Sequence, residues 1–88
     1  MIAKVPLILD PQPEGGYTVT SPLLRGLVTE GDTIAEALHN AQDAFQAMVE
    51  MHEYLDEPLP PELFIKHSDG EPLKAEILAP VTLPVPVS

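Results

Sequence analysis

The stretch from Thr29 to Leu55 holds the only long helix that this sequence supports. Thr33 begins it, because Thr33-Ile34-Ala35-Glu36 fits the capping box S/T-x-x-E, in which the Thr hydroxyl accepts a backbone N–H and the Glu reaches back to the cap. Apolar residues then recur at alternating steps of four and three, which is one stripe of an α-helix. The stripe consists of Ile34, Leu38, Ala41, Phe45, Met48, His52 and Leu55. A helix of roughly 20 residues, about 30 Å long, with one apolar stripe must cover another element.

Short β-rich stretches precede the helix and are candidates for what it covers. Ile2 to Leu9 reads as one strand, and Pro6 makes it an edge strand or places a bulge in it. Tyr17 to Thr20 is a second strand that puts Tyr17 and Val19 on one face. Arg25 to Thr29 is a third, and Gly26 predicts a close backbone approach or a bulge there. Three short strands before one helix favour an antiparallel sheet.

The chain after the helix is rich in proline. Pro58 ends the helix and makes Asp56-Glu57 its exit. Two apolar runs follow, Leu63 to Lys66 and Leu73 to Leu78, and at least one of them should be a strand. The predicted fold class is therefore α+β, a two-layer β-β-β-α-β domain with one long helix packed on one face of a small antiparallel sheet. We assign residues 1–79 to this domain and residues 80–88 to a Pro/Val-rich C-terminal tail.

Composition limits both location and partners. The 88 residues make one domain with a thin core. There is no Cys, no apolar run long enough to span a membrane and no signal-peptide pattern, which favours a cytoplasmic protein. The net charge of −10 disfavours direct binding to nucleic acid and favours a basic protein partner. The same charge would also serve simply to keep a small domain in solution.

The titratable side chains do not form a recognisable reaction centre. His39 has Asp43 one helical turn on, a spacing typical of an ordinary surface contact. His52 lies at the edge of the apolar stripe, where packing with a hydrogen bond is the simplest interpretation, and His67 is most simply solvated. The sequence contains no nucleophile elbow, P-loop or zinc-helix motif. We therefore expect no catalytic residue, no cofactor and no metal, and a protein that is not an enzyme.

Four fragments in one order carry a family resemblance. They are Gly16-Tyr17, Ser21-Pro22, Leu24-x-Gly26 and Thr29-x-Gly31-Asp32-Thr33-x-x-Glu36-Ala37. Over about the first 60 residues this order resembles the HicB family, the antitoxin half of HicA/HicB toxin–antitoxin pairs. Leu23 and Arg25 depart from the family's Pro-Asp-Leu-Pro-Gly turn, and residues 56–88 do not read as the DNA-binding segment that many members carry. The resemblance implies a partial HicB domain without that segment.

The resemblance also implies a mechanism. HicA-type toxins are small, basic, RNA-cleaving proteins, and a HicB domain covers their active surface. On this interpretation the chain is an antitoxin-like protein-binding domain, and its partner-binding residues are Glu36, Asp43, Glu50 and Met51. The alternative is a stand-alone structural or regulatory HicB-like module with neither toxin partner nor activity. A small hydrolase is a distant third interpretation.

Unpaired sheet edges add a last expectation. An open sheet presents free N–H and C=O groups that a second copy of the chain would use. The apolar stretch from Val81 to Val87 is a further self-association surface. We therefore expect a homodimer or higher oligomer formed through the tail or an edge strand.

Overall fold

The computed structural model describes residues 1–66 and 68–84, and one long helix lies across a three-stranded sheet. The elements are β1 (Ile2–Ala3), β2 (Ile8–Pro11), β3 (Tyr17–Thr20), β4 (Val28–Gly31), α1 (Ile34–Leu55), a 3-10 helix (Pro61–Leu63) and β5 (Phe64–Ile65). The sheet is antiparallel in the order β2-β3-β4, and β1 pairs with β5 in a separate antiparallel ladder. The predicted α+β arrangement is confirmed.

The predicted strand from Ile2 to Leu9 is wrong, because the chain forms two strands in two ladders. The N–H of Lys4 donates to the carbonyl of Leu63 at 2.7 Å and extends the β1–β5 ladder by one step. Pairing resumes only at Ile8, which lies opposite Thr20 of β3. Pro6 stands between the two ladders, and a residue without an N–H cannot continue either one. The proline thus divides the stretch into two strands, and both lie at an edge, as predicted, since β2 is the first strand of the three-stranded sheet and β1 belongs to a two-stranded ladder.

The third strand begins three residues later than the sequence predicted, at Val28. Leu24 and Leu27 are buried, and a turn holds them, with the N–H of Leu27 donating to the carbonyl of Leu24 at 3.2 Å. Gly26 lies in this turn with φ of +87°, and a Cβ there would meet nothing within 4 Å. The close approach predicted at Gly26 is therefore wrong. Glycine is favoured there because the backbone is left-handed.

Gly31 is the glycine at a close approach. It ends β4 and is buried, and a Cβ added to it would come within 2.6 Å of the Cα of Ala37 and 2.9 Å of the carbonyl carbon of Glu36. No side chain fits between strand and helix at this point. The absence of a Cβ at Gly31 therefore lets the first turn of α1 rest directly on β4.

Both predicted helix ends are confirmed. The Oγ1 of Thr33 accepts from the N–H of Glu36 at 3.1 Å, and a carboxylate oxygen of Glu36 accepts from the N–H of Asp32 at 3.4 Å. The Glu36 side chain thus bonds to the N–H of Asp32, one residue before the Thr33 cap, and not to the N–H of Thr33 itself. At the other end Asp56 takes a left-handed conformation, φ +55°, and its N–H donates to the carbonyl of Glu53. Pro58 follows where the helix pattern can no longer continue.

Small residues, more than the large ones, bring the helix onto the sheet. Ala37 and Ala41 are the buried helix residues, and they pack with Val19 of β3. Phe45 and Met48 are half-buried against a second cluster of Leu24, Leu27 and Leu63. The predicted stripe is confirmed in its middle. At its end it is wrong, since Leu55 is 50% exposed.

The chain beyond β5 has no helix or strand in residues 68–84 and is exposed. Of the two apolar runs after the helix, the first contains β5 and the second, Leu73 to Leu78, forms no strand. His67 and residues 85–88, which include part of the predicted tail, lie outside the described residues. Among the helices described, none has the length and apolarity that crossing a membrane requires.

Candidate protein-binding surface

The middle of the chain carries charge of one sign. Residues 26–65 contain no Lys or Arg. Their carboxylates belong to Glu30, Asp32, Glu36, Asp43, Glu50, Glu53, Asp56, Glu57 and Glu62. This range includes all of α1. A helix with carboxylates and no Lys or Arg lacks the internal ion pairs that ordinarily balance an exposed helix face.

Three of these carboxylates share the outer face of α1. Glu36, Asp43 and Glu50 are seven residues apart, a spacing that returns a side chain to nearly the same direction after two turns. They lie about 10 Å apart along the axis and face away from the buried Ala37 and Ala41. All three are exposed. We call Glu36, Asp43 and Glu50 the acidic helix face.

The polar contacts of the acidic helix face are few and long. Glu36 accepts from the N–H of Asp32 at 3.4 Å. Asp43 lies 3.4 Å from the Nε2 of His39, and Glu50 accepts from the side-chain amide of Gln46 at 3.5 Å. Across the described ranges 1–66 and 68–84, none of the three pairs with a Lys or Arg. Their charge is therefore available to a cationic partner.

Met51 lies beside the acidic helix face, not on it. It follows Glu50 and is rotated from it by about 100° around the axis. Its side chain is 56% exposed, so the helix presents apolar surface next to a carboxylate. Tyr54, which was not predicted as a contact residue, is 86% exposed and lies four residues after Glu50, on the same side of the helix. Its position off the apolar stripe was the available signal.

The histidines make local contacts. The contact between His39 and Asp43 is a surface pair as predicted, with both side chains more than two thirds exposed. The Nδ1 of His52 lies 3.3 Å from the carbonyl oxygen of Glu57, beyond the helix end, in agreement with packing plus a hydrogen bond. In the part of the chain that the structure describes, no three His, Asp or Glu side chains are grouped to hold a metal ion.

The fold and this surface define a small two-layer α+β domain whose one helix presents an acidic outer face. No protein-family model matches the chain. It is 44% identical over 41 residues to "Antitoxin HicB" of Escherichia coli K12, a match covering 47% of this chain and 30% of that protein. It is 39% identical over 57 residues to "Antitoxin HicB 1" of Photorhabdus laumondii, covering 65% of this chain and 37% of that protein.

A shorter relative is matched over most of its length. The chain is 32% identical over 56 residues to "UPF0150 protein ssr1765" of Synechocystis sp., and this match covers 64% of this chain and 71% of that protein. The chain belongs to the HicB-like family. It spans about a third of the length of the two antitoxins that it matches.

Proposed function

We propose that this chain is an antitoxin-like protein-binding domain that masks a small, basic, HicA-type RNA-cleaving toxin. The observation that carries the proposal is the acidic helix face, whose carboxylates are exposed and not paired with Lys or Arg in the described ranges. The names of two relatives, both antitoxins, support the same kind of role. Glu36, Asp43, Glu50 and the neighbouring Met51 are the proposed contact residues.

Electrostatics explains how such a surface would act. Carboxylates spaced about 10 Å apart along a rigid helix create an extended negative field that attracts a cationic protein and raises its association rate. An RNA-cleaving protein must carry positive charge to bind phosphates, and the carboxylates would occupy the place of those phosphates. Direct nucleic-acid binding and catalysis by this chain form no part of the proposal. Because a toxin that cleaves RNA acts where RNA is, the proposal places the complex in the cytoplasm.

One observation favours a second candidate function. The match covers most of the Synechocystis relative but only about a third of each antitoxin. The printed name of that relative carries no toxin–antitoxin role, so the second candidate is a HicB-like structural or regulatory module that acts without a toxin. The two candidates differ in one respect that can be measured, namely whether the chain binds a basic protein encoded beside it.

We also propose that the chain forms a homodimer or higher oligomer. The sheet face away from α1 carries Ile8, Thr20 and Val28 in one cross-strand row. Ile8 and Val28 are 47% and 64% exposed, so this row offers apolar surface to a second copy. The exposed apolar residues of the tail, including Val81 and Leu83, offer more.

The test of the antitoxin proposal is binding to the product of the adjacent gene. The full chain should bind that protein and suppress its RNA cleavage. The variant E36Q/D43N/E50Q removes three charges from the acidic helix face, and Gln at residue 36 preserves the capping bond to Asp32. The matched control D69N/E71Q/E76Q removes three charges from the exposed C-terminal segment. We expect the first variant to bind at least about tenfold more weakly and the control to bind almost normally.

Failure of the full chain to bind any adjacent basic protein would favour the stand-alone module. Equal weakening by both triple variants would mean that only net charge matters, and it would remove the assignment to the acidic helix face. Circular dichroism of each variant establishes that the helix is intact before binding is compared.

A further inference from the structure

A groove with an apolar floor and an acidic rim runs beside the C-terminal half of α1. Its volume is about 770 Å³. Phe45 and Val49 of the helix and Phe64 of β5 contribute half-buried apolar surface to the floor. Glu53, Asp56 and Glu57, all exposed, line it at the helix end. We call this surface the acid-rimmed groove, and it lies on a different side of α1 from the acidic helix face.

We propose that the acid-rimmed groove binds a peptide segment of a partner protein in which an apolar side chain is flanked by Lys or Arg. The inference deepens the proposed function, on which the cationic nature of the partner rests. It assigns a second part of the contact surface and gives the two surfaces different roles.

Charge selects the cationic occupant. Among the described residues that line the groove there are three carboxylates and no Lys or Arg. The N–H groups of Asp56 and Glu57 already donate to the carbonyls of Glu53 and His52, at 3.2 and 2.9 Å, so they are not free to hold an anion. The C-terminal end of a helix is also the negative end of its dipole. Met1 also lines the groove and brings one amino group to it, but three carboxylates and the helix dipole keep the rim net negative, which favours a cationic occupant.

Shape separates the groove from the acidic helix face. On a convex helix surface each ion pair is surrounded by water and contributes little affinity. In the groove, the aliphatic stem of a Lys or Arg can lie on Phe45 and Val49 while its charge reaches the rim. Because the groove adds apolar contact and partly excludes water, a partner bound there should dissociate more slowly than one bound only to the acidic helix face. The acidic helix face then mainly accelerates encounter.

A second copy of this chain is a poor occupant. Each copy carries a net charge of −10. The exposed apolar segment around Leu73 has Lys74 as its base, between Glu71 and Glu76. This segment has more acids than bases and is repelled by the rim, and the net charge of a whole second copy opposes its approach, so a different, cationic protein is the better occupant.

The experiment titrates the full chain, labelled with ¹⁵N, with two capped hexapeptides, Gly-Arg-Leu-Trp-Lys-Gly and Gly-Glu-Leu-Trp-Glu-Gly. We expect the basic peptide to shift the amide resonances of Val49, Glu57 and Phe64, and the acidic peptide to shift none of them. The variant E53Q/D56N/E57Q should weaken binding of the basic peptide by about tenfold, and E36Q/D43N/E50Q by less than about threefold. Asn is chosen at residue 56 because it tolerates the left-handed backbone there.

Three outcomes would overturn the proposal: no binding of the basic peptide at millimolar concentration, shifts centred on Asp43 and Glu50, or equal weakening by the two triple variants. A groove variant that changed the sedimentation coefficient of the chain alone would also overturn it, by showing that a second copy covers the groove. The peptide assay needs no toxin. Peptide binding without toxin binding would refute only the proposed function, and toxin masking unaffected by the groove variant would refute only this inference.

Discussion

The side-chain amide of Asn40 donates a hydrogen bond to the backbone carbonyl of Glu30 at 2.7 Å, and so joins α1 to β4. The N–H of Gln12 donates to the carbonyl of Gly16, which sets the alternation of bonds along the hairpin. The same alternation continues through the pairing of β3 with β4. It places the N–H and carbonyl of Glu30 on the side of β4 that faces away from β3, at the free edge of the sheet. Asn40 therefore occupies an acceptor that an added strand would need.

The bond between Asn40 and Glu30 predicts the effect of Asn40→Ala. Loss of one hydrogen bond between exposed groups should lower the free energy of unfolding by about 0.5 kcal/mol. The same change should increase self-association, because the β4 edge loses its cover. Urea denaturation and light scattering measure the two effects. Gln46→Ala, which removes only the long contact to Glu50, is the control and should change neither.

Close packing of Gly31 against α1 predicts that Gly31→Ala is among the most damaging single changes. The added Cβ would meet backbone atoms of Ala37 and Glu36, which cannot move aside as a flexible side chain can. We expect a loss of at least about 2 kcal/mol in the free energy of unfolding. Gly26→Ala is the comparison, because it strains a left-handed backbone in open space and should cost about 1 kcal/mol. Equal losses would refute the close approach as the cause.

The helix cap predicts a moderate effect for Thr33→Ala. The substitution removes the hydroxyl that accepts from the N–H of Glu36 and should destabilise the domain by about 1 kcal/mol. Thr33→Ser keeps the acceptor and should be nearly neutral. Thermal unfolding followed by circular dichroism distinguishes the two. An equal decrease in melting temperature for both would show that the methyl group, not the hydroxyl, stabilises this end.

Salt dependence separates the two proposed contact surfaces. If the acidic helix face steers a basic partner, the association rate should decrease by about tenfold between 0.05 and 0.5 M salt, while dissociation changes much less. In the variant E36Q/D43N/E50Q the association rate at low salt should be lower than that of the unmodified chain, and it should depend less on salt. Surface plasmon resonance measures both rates. A salt effect confined to dissociation would contradict steering by these residues.

Self-association gives the last prediction. The full chain should be a dimer or larger at micromolar concentration, and a chain ending at Ala79 should associate more weakly while retaining its stability. Residues 80–84, the described part of the removed segment, are exposed and belong to neither buried cluster, so we expect the deletion to leave the core intact. Light scattering and urea denaturation are the measurements. Monomers at every concentration for both chains would exclude the proposed homodimer.

Local sequence patterns predicted those parts of the fold that depend on neighbouring residues. The helix Ile34–Leu55, its caps and the strand Tyr17–Thr20 arise from spacing, capping and alternation within a few residues. The structural role of a single residue was harder to predict from the sequence. Gly26 and Gly31 look alike in the sequence, yet one is required by backbone conformation and the other by a neighbouring helix.

Strand pairing and the contacts between separate elements were decided only by the tertiary structure. The sequence by itself determined that one capped, acidic, amphipathic helix must lie on a small sheet, because periodicity and charge are properties of the chain. Tertiary structure decided that the N-terminal stretch divides at Pro6 between two ladders, that Asn40 covers the edge of β4, and that carboxylates surround an apolar groove beside Phe45. These relationships join residues from separate elements, so the contacts form and contribute to stability only after folding has brought those residues together.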